Sequence, residues 1–182
     1  MRTRRLCHGV LPERVRELGI ELPGPQPALG NYLSAKRGGD LVFVSGHAPI
    51  KLDRNGLIAG KSSQEVSVED AREALIQGKV GSDLSLEAGR EAARLVGLFL
   101  LGALRAQVGS LDRVRSVLKV FGMVNCAPGF TNTPAVIDGF SDLVVDVFGE
   151  DVGRHARSAV GMAGLPLNIP VEIEMIVAVD SG

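Results

Sequence analysis

Apolar residues recur with the 3.6-residue period of an amphipathic helix in two long stretches of the chain. The first runs from about 86 to 107, behind a capping residue at Ser85, and the second spans 135–150 and ends at Gly149. Shorter helices are predicted at 11–19 and at 67–76, the latter with Ser67 as N-cap. Their apolar stripes include Leu95 and Phe99 in the first long helix and Val136, Phe140 and Val144 in the second.

Strand signals lie on both sides of the long helices. Gly38, Gly39 and Asp40 separate two strand-like runs and predict a hairpin whose second strand is 41–46. A long strand is predicted within 111–126, and the C-terminal part holds two apolar strands, which we expect to form a hairpin turned at "GLPLNIP". The order of two strands, helix, strand, helix and two strands contains two β–α–β crossovers. It predicts an α+β fold with a mixed sheet and both main helices on one face.

Length and composition indicate one ordinary domain. With 182 residues, 45 % of them hydrophobic and 23 % charged, the chain can bury a core of its own. We divide it into an N-terminal helix with a proline-rich linker, 1–27, and a single domain, 28–182. The formal net charge of −1 and the aromatic fraction of 4 % are not those of a nucleic-acid-binding surface.

Several features favour a cytoplasmic protein without a membrane partner. Cys7 and Cys126 are too few for a disulfide framework. The longest apolar run, 95–104, is too short to span a bilayer. The basic N-terminus is not followed by the apolar segment of a signal peptide.

The two C-terminal strands carry charges in a core-like setting. In "RHARSAVGMAGLPLNIPVEIEMIVAVD", Arg157 lies on the first strand, and Glu172 and Glu174 lie on the second. Charges on such strands need partners, solvent or a function. Two interpretations stay open from the residues alone: Arg157 and Glu172 line a small-molecule pocket, or Arg157 forms a structural ion pair with a glutamate across the hairpin.

Three segments together resemble the YjgF/RidA family, often labelled L-PSP endoribonuclease-like. They are "GNYLSAKRGGDLVFVSGHAP", "PAVIDGFSDLVVDVFGE" and the Arg, Leu-Pro and Glu-x-Glu combination of "ARSAV…LP…VEIE". The run "FGMVNCAPGFTNTPAVIDGFSDLVVDVFGEDVGRHARSAVG" is similar to the longer branch of that family. The resemblance covers about residues 28–180.

The resemblance implies a chorismate-mutase-like fold assembled as a homotrimeric barrel, with three clefts between neighbouring subunits. The best-known members of the family hydrolyse reactive 2-imino and 2-enamino acids to 2-keto acids and ammonia. They use no metal or organic cofactor. The expected ligand is therefore a small carboxylate-bearing metabolite, and the expected activity is that of a cofactor-independent deaminase.

The resemblance also assigns roles to individual residues. Arg157 matches the arginine that grips the substrate carboxylate, for which a guanidinium offers a bidentate fork. Glu172 matches the glutamate that holds the attacking water, a task suited to a partly shielded carboxylate. Tyr32 matches a tyrosine that reaches the pocket across the subunit boundary, and Ser45 and Gly46 match the strand end beneath the ligand.

Three further site positions depart from the family pattern. Asp138 stands where the family usually has Asn and adds negative charge near an anion site, unless it interacts with the helix N-terminus. His47 stands where many members have Gln, and Ala159 replaces a frequent Cys. The region 51–80 is longer than usual, and we expect it to reshape the cleft.

Other chemistries find less support. The three histidines show no metal-ligand spacing, and the chain has no phosphate-binding glycine motif and no Gly-x-Ser-x-Gly. Two alternatives to the deaminase remain. One is a non-catalytic protein that binds a keto acid or a similar anion. The other is an endoribonuclease, which the near-neutral charge and the lack of an identifiable His–His or His–Lys pair disfavour.

Overall fold

A computed structural model describes residues 10–27, 30–53, 55–62 and 65–181. Five strands form one sheet in the order β1-β2-β5-β3-β4. The strands are β1 (Ala35–Gly38), β2 (Leu41–His47), β3 (Val114–Asn125), β4 (Ala156–Met162) and β5 (Val171–Val179). The helices are α1 (Val10–Glu17), α2 (Val68–Glu73), α3 (Leu86–Val108), α4 (Thr133–Phe148) and α5 (Glu150–Gly153).

The sheet is mixed, as the element order predicts. β1 and β2 form the expected tight hairpin, with Gly38 opposite Leu41 and with Gly39 in a left-handed conformation that suits glycine. β3 and β4 are parallel because α4 carries the chain from one to the other, whereas β5 is antiparallel to both β2 and β3. The predicted mixed α+β architecture is confirmed.

Both main helices pack on one face of the sheet, as predicted. Phe140 of α4 and Val96 of α3 are fully buried between the layers. α3 and α4 approach closely at Gly139, where a Cβ would lie 2.0 Å from the carbonyl oxygen of Arg90. The helix starts also match the predictions, since Ser85 caps α3 and Ser67 caps α2 through a capping box with Asp70.

The opposite face of the sheet is rich in apolar side chains that remain exposed. Phe43 of β2 is 48 % exposed and Leu118 of β3 is 42 % exposed. Phe121 and Met123 of β3 and Ile176 of β5 are only half-buried. We call this surface the open sheet face. A contiguous apolar surface of this kind is typical of an interface.

One expectation about the sheet is wrong. β4 and β5 follow each other in the chain but do not form a hairpin, because β3 lies between them. The parallel pairing of β3 with β4 sets Arg157 opposite Val120, while Glu172 lies opposite Met123 on the other side of β3. The crossover through α4 delivers β4 to the outer edge of β3, so the inner edge is free for β5.

The N-terminal helix is confirmed as Val10–Glu17 and packs onto the main core through Leu11 and Val15, which are 2 % and 8 % exposed. Of Pro12, which we expect in its first turn, only the backbone is described. The division of the chain at residue 27 stays a prediction. Within the described residues, no helix is both long enough and apolar enough to cross a membrane.

Candidate functional site

A cavity of about 610 Å³ opens beside the ends of β2 and β5, and we call it the Glu172 cavity. It collects most of the residues that the sequence assigns to the site. These are Tyr32, Ser45, Gly46, His47 and Glu172, and they are joined by Gln26, Ala48, Arg72, Pro166, Leu167, Ile169 and Glu174. Its size falls within the range of small-molecule sites, about 300–1,000 Å³.

A β-bulge places the Glu172 carboxylate. The register between β2 and β5 shifts by one residue between Val44 and His47, so Ser45 and Gly46 together lie opposite the single residue Glu174. The Glu172 side chain lies directly over Gly46, where an added Cβ would come within 2.1 Å of Glu172 Oε1. Glycine at this position is therefore required for the carboxylate to occupy its place.

The bulge also fixes His47. The ring is only 4 % exposed, and its Nδ1 donates to the backbone carbonyl of Ser45 at 2.7 Å. Since a carbonyl oxygen can only accept, the proton of the neutral ring is on Nδ1. Burial lowers the pKa of His47, although the Ser45 carbonyl works in the opposite sense. His47 is therefore a neutral residue at pH 7.

The surroundings of the Glu172 carboxyl favour its protonated form. Burial raises its pKa above the ordinary glutamate value, and the nearby charge of Glu174 raises it further. A carboxylate whose pKa is shifted toward neutrality is a better general base than a fully solvated one. Glu174 is exposed on the same strand and lines the same cavity.

Tyr32 is 48 % exposed and lines the Glu172 cavity of its own protomer. The family resemblance implies that this tyrosine reaches the pocket across the subunit boundary. Within one protomer, however, Tyr32 already accompanies Glu172, and Arg157 is the residue that lies elsewhere. Ser45 is held by its hydroxyl, which donates to the Leu33 carbonyl at 2.7 Å.

Arg157 lines a second cavity of about 620 Å³ between α4, α5 and β4, and we call it the Arg157 cavity. Its Nη1 donates to Asp138 Oδ1 at 2.7 Å and to Ser141 Oγ at 2.9 Å, and its side chain is 22 % exposed. The ion pair that the sequence leaves open across a hairpin to Glu172 or Glu174 is therefore wrong, and the partner is Asp138. Asp138 neutralises and orients the guanidinium from one turn into α4.

Two residues that the sequence analysis did not assign complete this arrangement. The Ser141 hydroxyl donates to His155 Nε2 at 3.0 Å, and His155 Nδ1 donates to the carbonyl of Gly153 at 2.7 Å. Burial lowers the pKa of His155, and the charge of Arg157 lowers it further, so the ring is neutral at pH 7. Two spacings in the sequence could have identified these residues. Ser141 lies three positions after Asp138 on the same helix, and His155 lies two positions before Arg157, directly ahead of β4.

The Arg157 and Glu172 side chains lie on opposite faces of the sheet. Arg157 contacts α4 on the helix side, whereas Glu172 alternates with the core residues Val171 and Ile173 and faces away from the helices. With β3 also between their strands, a single protomer does not bring Arg157 and Glu172 into one crevice. Their predicted union in a cleft between subunits stays a prediction.

Ala159 packs against the main core, and its carbonyl accepts from Thr133 Oγ1 at 3.1 Å. It lies two residues beyond Arg157 on the same strand and contributes no reactive group. The described residues contain no group of three His, Cys, Asp or Glu side chains arranged to hold a metal ion.

The mixed sheet with two helices on one face defines a chorismate-mutase-like α+β protein, and the sequence assigns it to a family. Residues 70–178 match the family described as "YjgF/chorismate mutase-like, putative endoribonuclease". The chain belongs to this YjgF/RidA family. It is also similar to Protein TCP17 of Trypanosoma cruzi, with 36 % identity over 176 residues that cover 97 % of this chain and 98 % of the relative.

Solved structures of similar proteins fall into two groups. Protein Atu1372 of Agrobacterium tumefaciens, of unknown function, is 35 % identical with a TM-score of 0.74 and 94 % coverage of each chain. A "putative endoribonuclease" of Shewanella oneidensis is 28 % identical with a TM-score of 0.77, covering 93 % of this chain and 99 % of that one. TdcF of E. coli, solved with bound serine, is 23 % identical with a TM-score of 0.53, covering 88 % and 96 %, so its likeness shows the fold alone.

Proposed function

We propose that the protein is a cofactor-independent deaminase that hydrolyses small 2-imino and 2-enamino acids to 2-keto acids and ammonia. The observation that carries the proposal is the Glu172 carboxyl, held over Gly46 in a ligand-sized cavity with a pKa raised by burial and by Glu174. Tyr32 and the neutral His47 supply uncharged hydrogen-bonding groups beside it. Membership of the YjgF/RidA family supports this choice of chemistry.

A 2-enamino acid first tautomerises to the 2-imino acid, as C3 gains a proton and nitrogen loses one, and the reaction then adds one water across the carbon–nitrogen double bond. Glu172 accepts a proton from the water as its oxygen bonds to C2 of the imine, and the C=N π electrons move to nitrogen. Glu172 returns that proton to nitrogen, then accepts the hydroxyl proton and passes it to nitrogen as well, so that the nitrogen gains two protons in all. The C–N bond breaks with its electron pair leaving on ammonia, and C=O forms. Glu172 ends as it began, so no cofactor is consumed.

In this proposal the substrate carboxylate binds to Arg157 of a second copy of the chain. The guanidinium is already held by Asp138 and Ser141, so it presents its remaining N–H groups at little entropic cost. The exposed apolar side chains of the open sheet face, such as Phe43 and Leu118, favour burial against other copies. We propose that three copies bury these faces in a central barrel, with one cleft at each subunit boundary.

Single substitutions test the chemical roles. Glu172→Gln removes the base and Arg157→Ala removes the carboxylate grip, and we expect each to lower kcat/KM at least about 100-fold. The assay follows ammonia release from an imine generated in situ by an amino acid oxidase. Glu91→Gln on the exposed surface of α3 is the matched control. Near-normal turnover by the Glu172→Gln protein would refute the assigned mechanism.

Mixing the two inactive variants tests whether the site is shared between copies. If each site takes Arg157 from one copy and Glu172 from another, random mixing at equal amounts restores both residues in about a quarter of the sites. Recovered activity near that fraction supports the shared cleft. Mixed assemblies as inactive as the separate variants would contradict it.

The wild-type and Arg157→Ala proteins also distinguish the deaminase from the alternative, a non-catalytic anion-binding protein. It predicts that the wild-type protein releases no ammonia from any imine supplied, while a 2-keto acid still binds and loses affinity in the Arg157→Ala protein. Calorimetric titration with pyruvate beside the ammonia assay separates the two functions.

A further inference from the structure

The side chain of Arg72 places a positive charge at the Glu172 cavity. The YjgF/RidA resemblance assigns no role to this residue. It lies in the last turn of α2, and its side chain lines the cavity together with Glu172 and Tyr32. α2 belongs to the region 51–80, which is longer than usual in the family. We expect the region 51–80 to reshape the cleft, and in the structure this region adds the guanidinium of Arg72 to the cavity wall.

The position of Arg72 is fixed by the surrounding backbone. The Ser67 capping box holds the start of α2, and Lys61 pairs with Asp70 at 2.7 Å. At the other end, the Lys51 amide donates to the Ala74 carbonyl at 2.9 Å. Ala71, beside Arg72, is 2 % exposed and packs in a small cluster with Ile50, Phe99 and Ile169. The Cα of Arg72 is therefore held beside the cavity, and only its side chain remains to adjust.

The guanidinium of Arg72 has no hydrogen-bond or ion-pair partner among the residues that the structure describes. Every other arginine that the structure describes has a hydrogen bond or an ion pair, whereas the Arg72 side chain has neither within that part of the chain. Glu69 is three residues earlier, at a spacing that allows a helical ion pair, but no such pair forms. Arg72 also makes no ion pair with Glu172 or Glu174. Its five N–H donors remain available to a planar anion.

An apolar wall lines the cavity as well. Pro166, Leu167 and Ile169 lie in the connection between β4 and β5 and border the space together with Ala48. This connection is pinned by the same added region, since Gln77 Nε2 donates to the Leu167 carbonyl at 2.9 Å and the Gly78 amide donates to the Asn168 carbonyl at 2.8 Å. Such a wall suits methylene groups more than a second polar chain.

We propose that Arg72 binds a second carboxylate on the substrate, so that the preferred substrates are dicarboxylic 2-imino acids and the products are 2-keto dicarboxylates. This inference rests on the proposed function, in which Arg157 of another copy takes the carboxylate next to the reacting carbon. Arg72 then takes the carboxylate at the far end, and the methylene groups between lie along the Leu167 wall. A cavity of about 610 Å³ accommodates an acid of this size.

The test compares two keto acids of equal carbon number, 2-oxoglutarate and 2-oxopentanoate, by calorimetric titration of the full chain. We expect the wild-type protein to bind 2-oxoglutarate about tenfold more tightly, the size of effect of one charge-assisted pairing. Arg72→Gln should remove this preference and change 2-oxopentanoate affinity by less than about twofold. Arg72→Lys should keep part of the preference, because it retains the charge but not the planar fork.

Arg94→Gln is the matched control, since Arg94 is an exposed α3 arginine whose contact is Glu91 at 3.8 Å. It should leave the preference intact. A wild-type protein without the preference, or an Arg72→Gln protein that keeps it, would overturn the assignment. Turnover of the monocarboxylic imine and of the dicarboxylic imine separately tests the proposed function. If neither imine is turned over while the Arg72-dependent preference persists, the deaminase fails and Arg72 remains the recognition residue of a dicarboxylate-binding site.

Discussion

The Glu172 cavity and the Arg157 cavity have almost the same volume but differ in how their charges are satisfied. In the Glu172 cavity the carboxyl of Glu172 lies over the β-bulge and has a raised pKa, and Arg72 makes no hydrogen bond or ion pair within the described part of the chain. In the Arg157 cavity the guanidinium is paired with Asp138 and supported by Ser141, and Arg154 is paired with Glu150. The first region keeps charged groups available for a ligand, and the second holds one charged group in a fixed orientation.

The largest expected effect comes from filling the space beneath the Glu172 carboxylate. Gly46→Ala puts a Cβ where Glu172 Oε1 now lies, so the carboxylate has to move by at least an ångström. A displacement of that size in a catalytic group lowers kcat/KM about 100-fold. Gly164→Ala is the control, because a Cβ there meets nothing within 4 Å. Unchanged kinetics in the Gly46→Ala protein would show that the exact place of the carboxylate does not matter.

A smaller effect is expected from loosening Arg157. Ser141→Ala removes one acceptor from Arg157 Nη1 but leaves Asp138 in place. Because one charge-assisted hydrogen bond is lost, we expect KM to rise about tenfold with a smaller change in kcat. Ser82→Ala, in an exposed turn outside both cavities, is the comparison. A fall in kcat alone would show that Ser141 acts elsewhere than on substrate binding.

Removing the charge of Glu174 should shift a pH profile more than a rate. Glu174 raises the pKa of Glu172, so Glu174→Gln lowers that pKa and leaves the base ionised at lower pH. The acid limb of kcat/KM against pH should therefore move to lower pH, with less than about a threefold change at neutral pH. If the acid limb of kcat/KM does not move in the Glu174→Gln protein, Glu172 is not the general base.

The smallest effect is on stability. A carboxyl whose pKa is raised in the folded state costs stability when it is ionised, so the wild-type protein loses stability as pH rises through that folded pKa. Glu172→Gln should consequently raise Tm by about 1–3 °C at pH 7, and the gain should vanish below the ordinary glutamate pKa. Thermal unfolding at pH 7 and pH 4 measures the difference. An equal gain at both values would assign the effect to packing instead of charge.

The local elements were largely predictable from the sequence because their signals are local. The periodic apolar residues and the Ser85 cap located α3, and Gly39 with Asp40 located the first hairpin. The position of β4 was not predictable in the same way. A short connection to β5 favours a hairpin, but the crossover through α4 pairs β4 with β3 instead.

The candidate site was predictable only in part, because motifs in short segments identify residue types but not the contacts between distant segments. The resemblance pointed to Tyr32, Ser45, Gly46, His47 and Glu172, and the fold gathers these five residues in one cavity. It gave no sign that Asp138 and Ser141 would hold Arg157, or that Arg72 would reach the Glu172 cavity. Those contacts join residues distant in sequence, so only the packing of α4 on β4 and of α2 near the connection between β4 and β5 creates them.

The sequence by itself determined the helices, the strands, the family and the residue types of the proposed chemistry. These follow from periodicity, capping and motif spacing, which are properties of neighbouring residues. Only the tertiary structure decided that Arg157 and Glu172 lie on opposite faces of the sheet and that Arg72 lies in the cavity wall without a partner among the described residues. Strand order and side-chain pairing depend on contacts between distant segments, and those contacts exist only once the chain has packed.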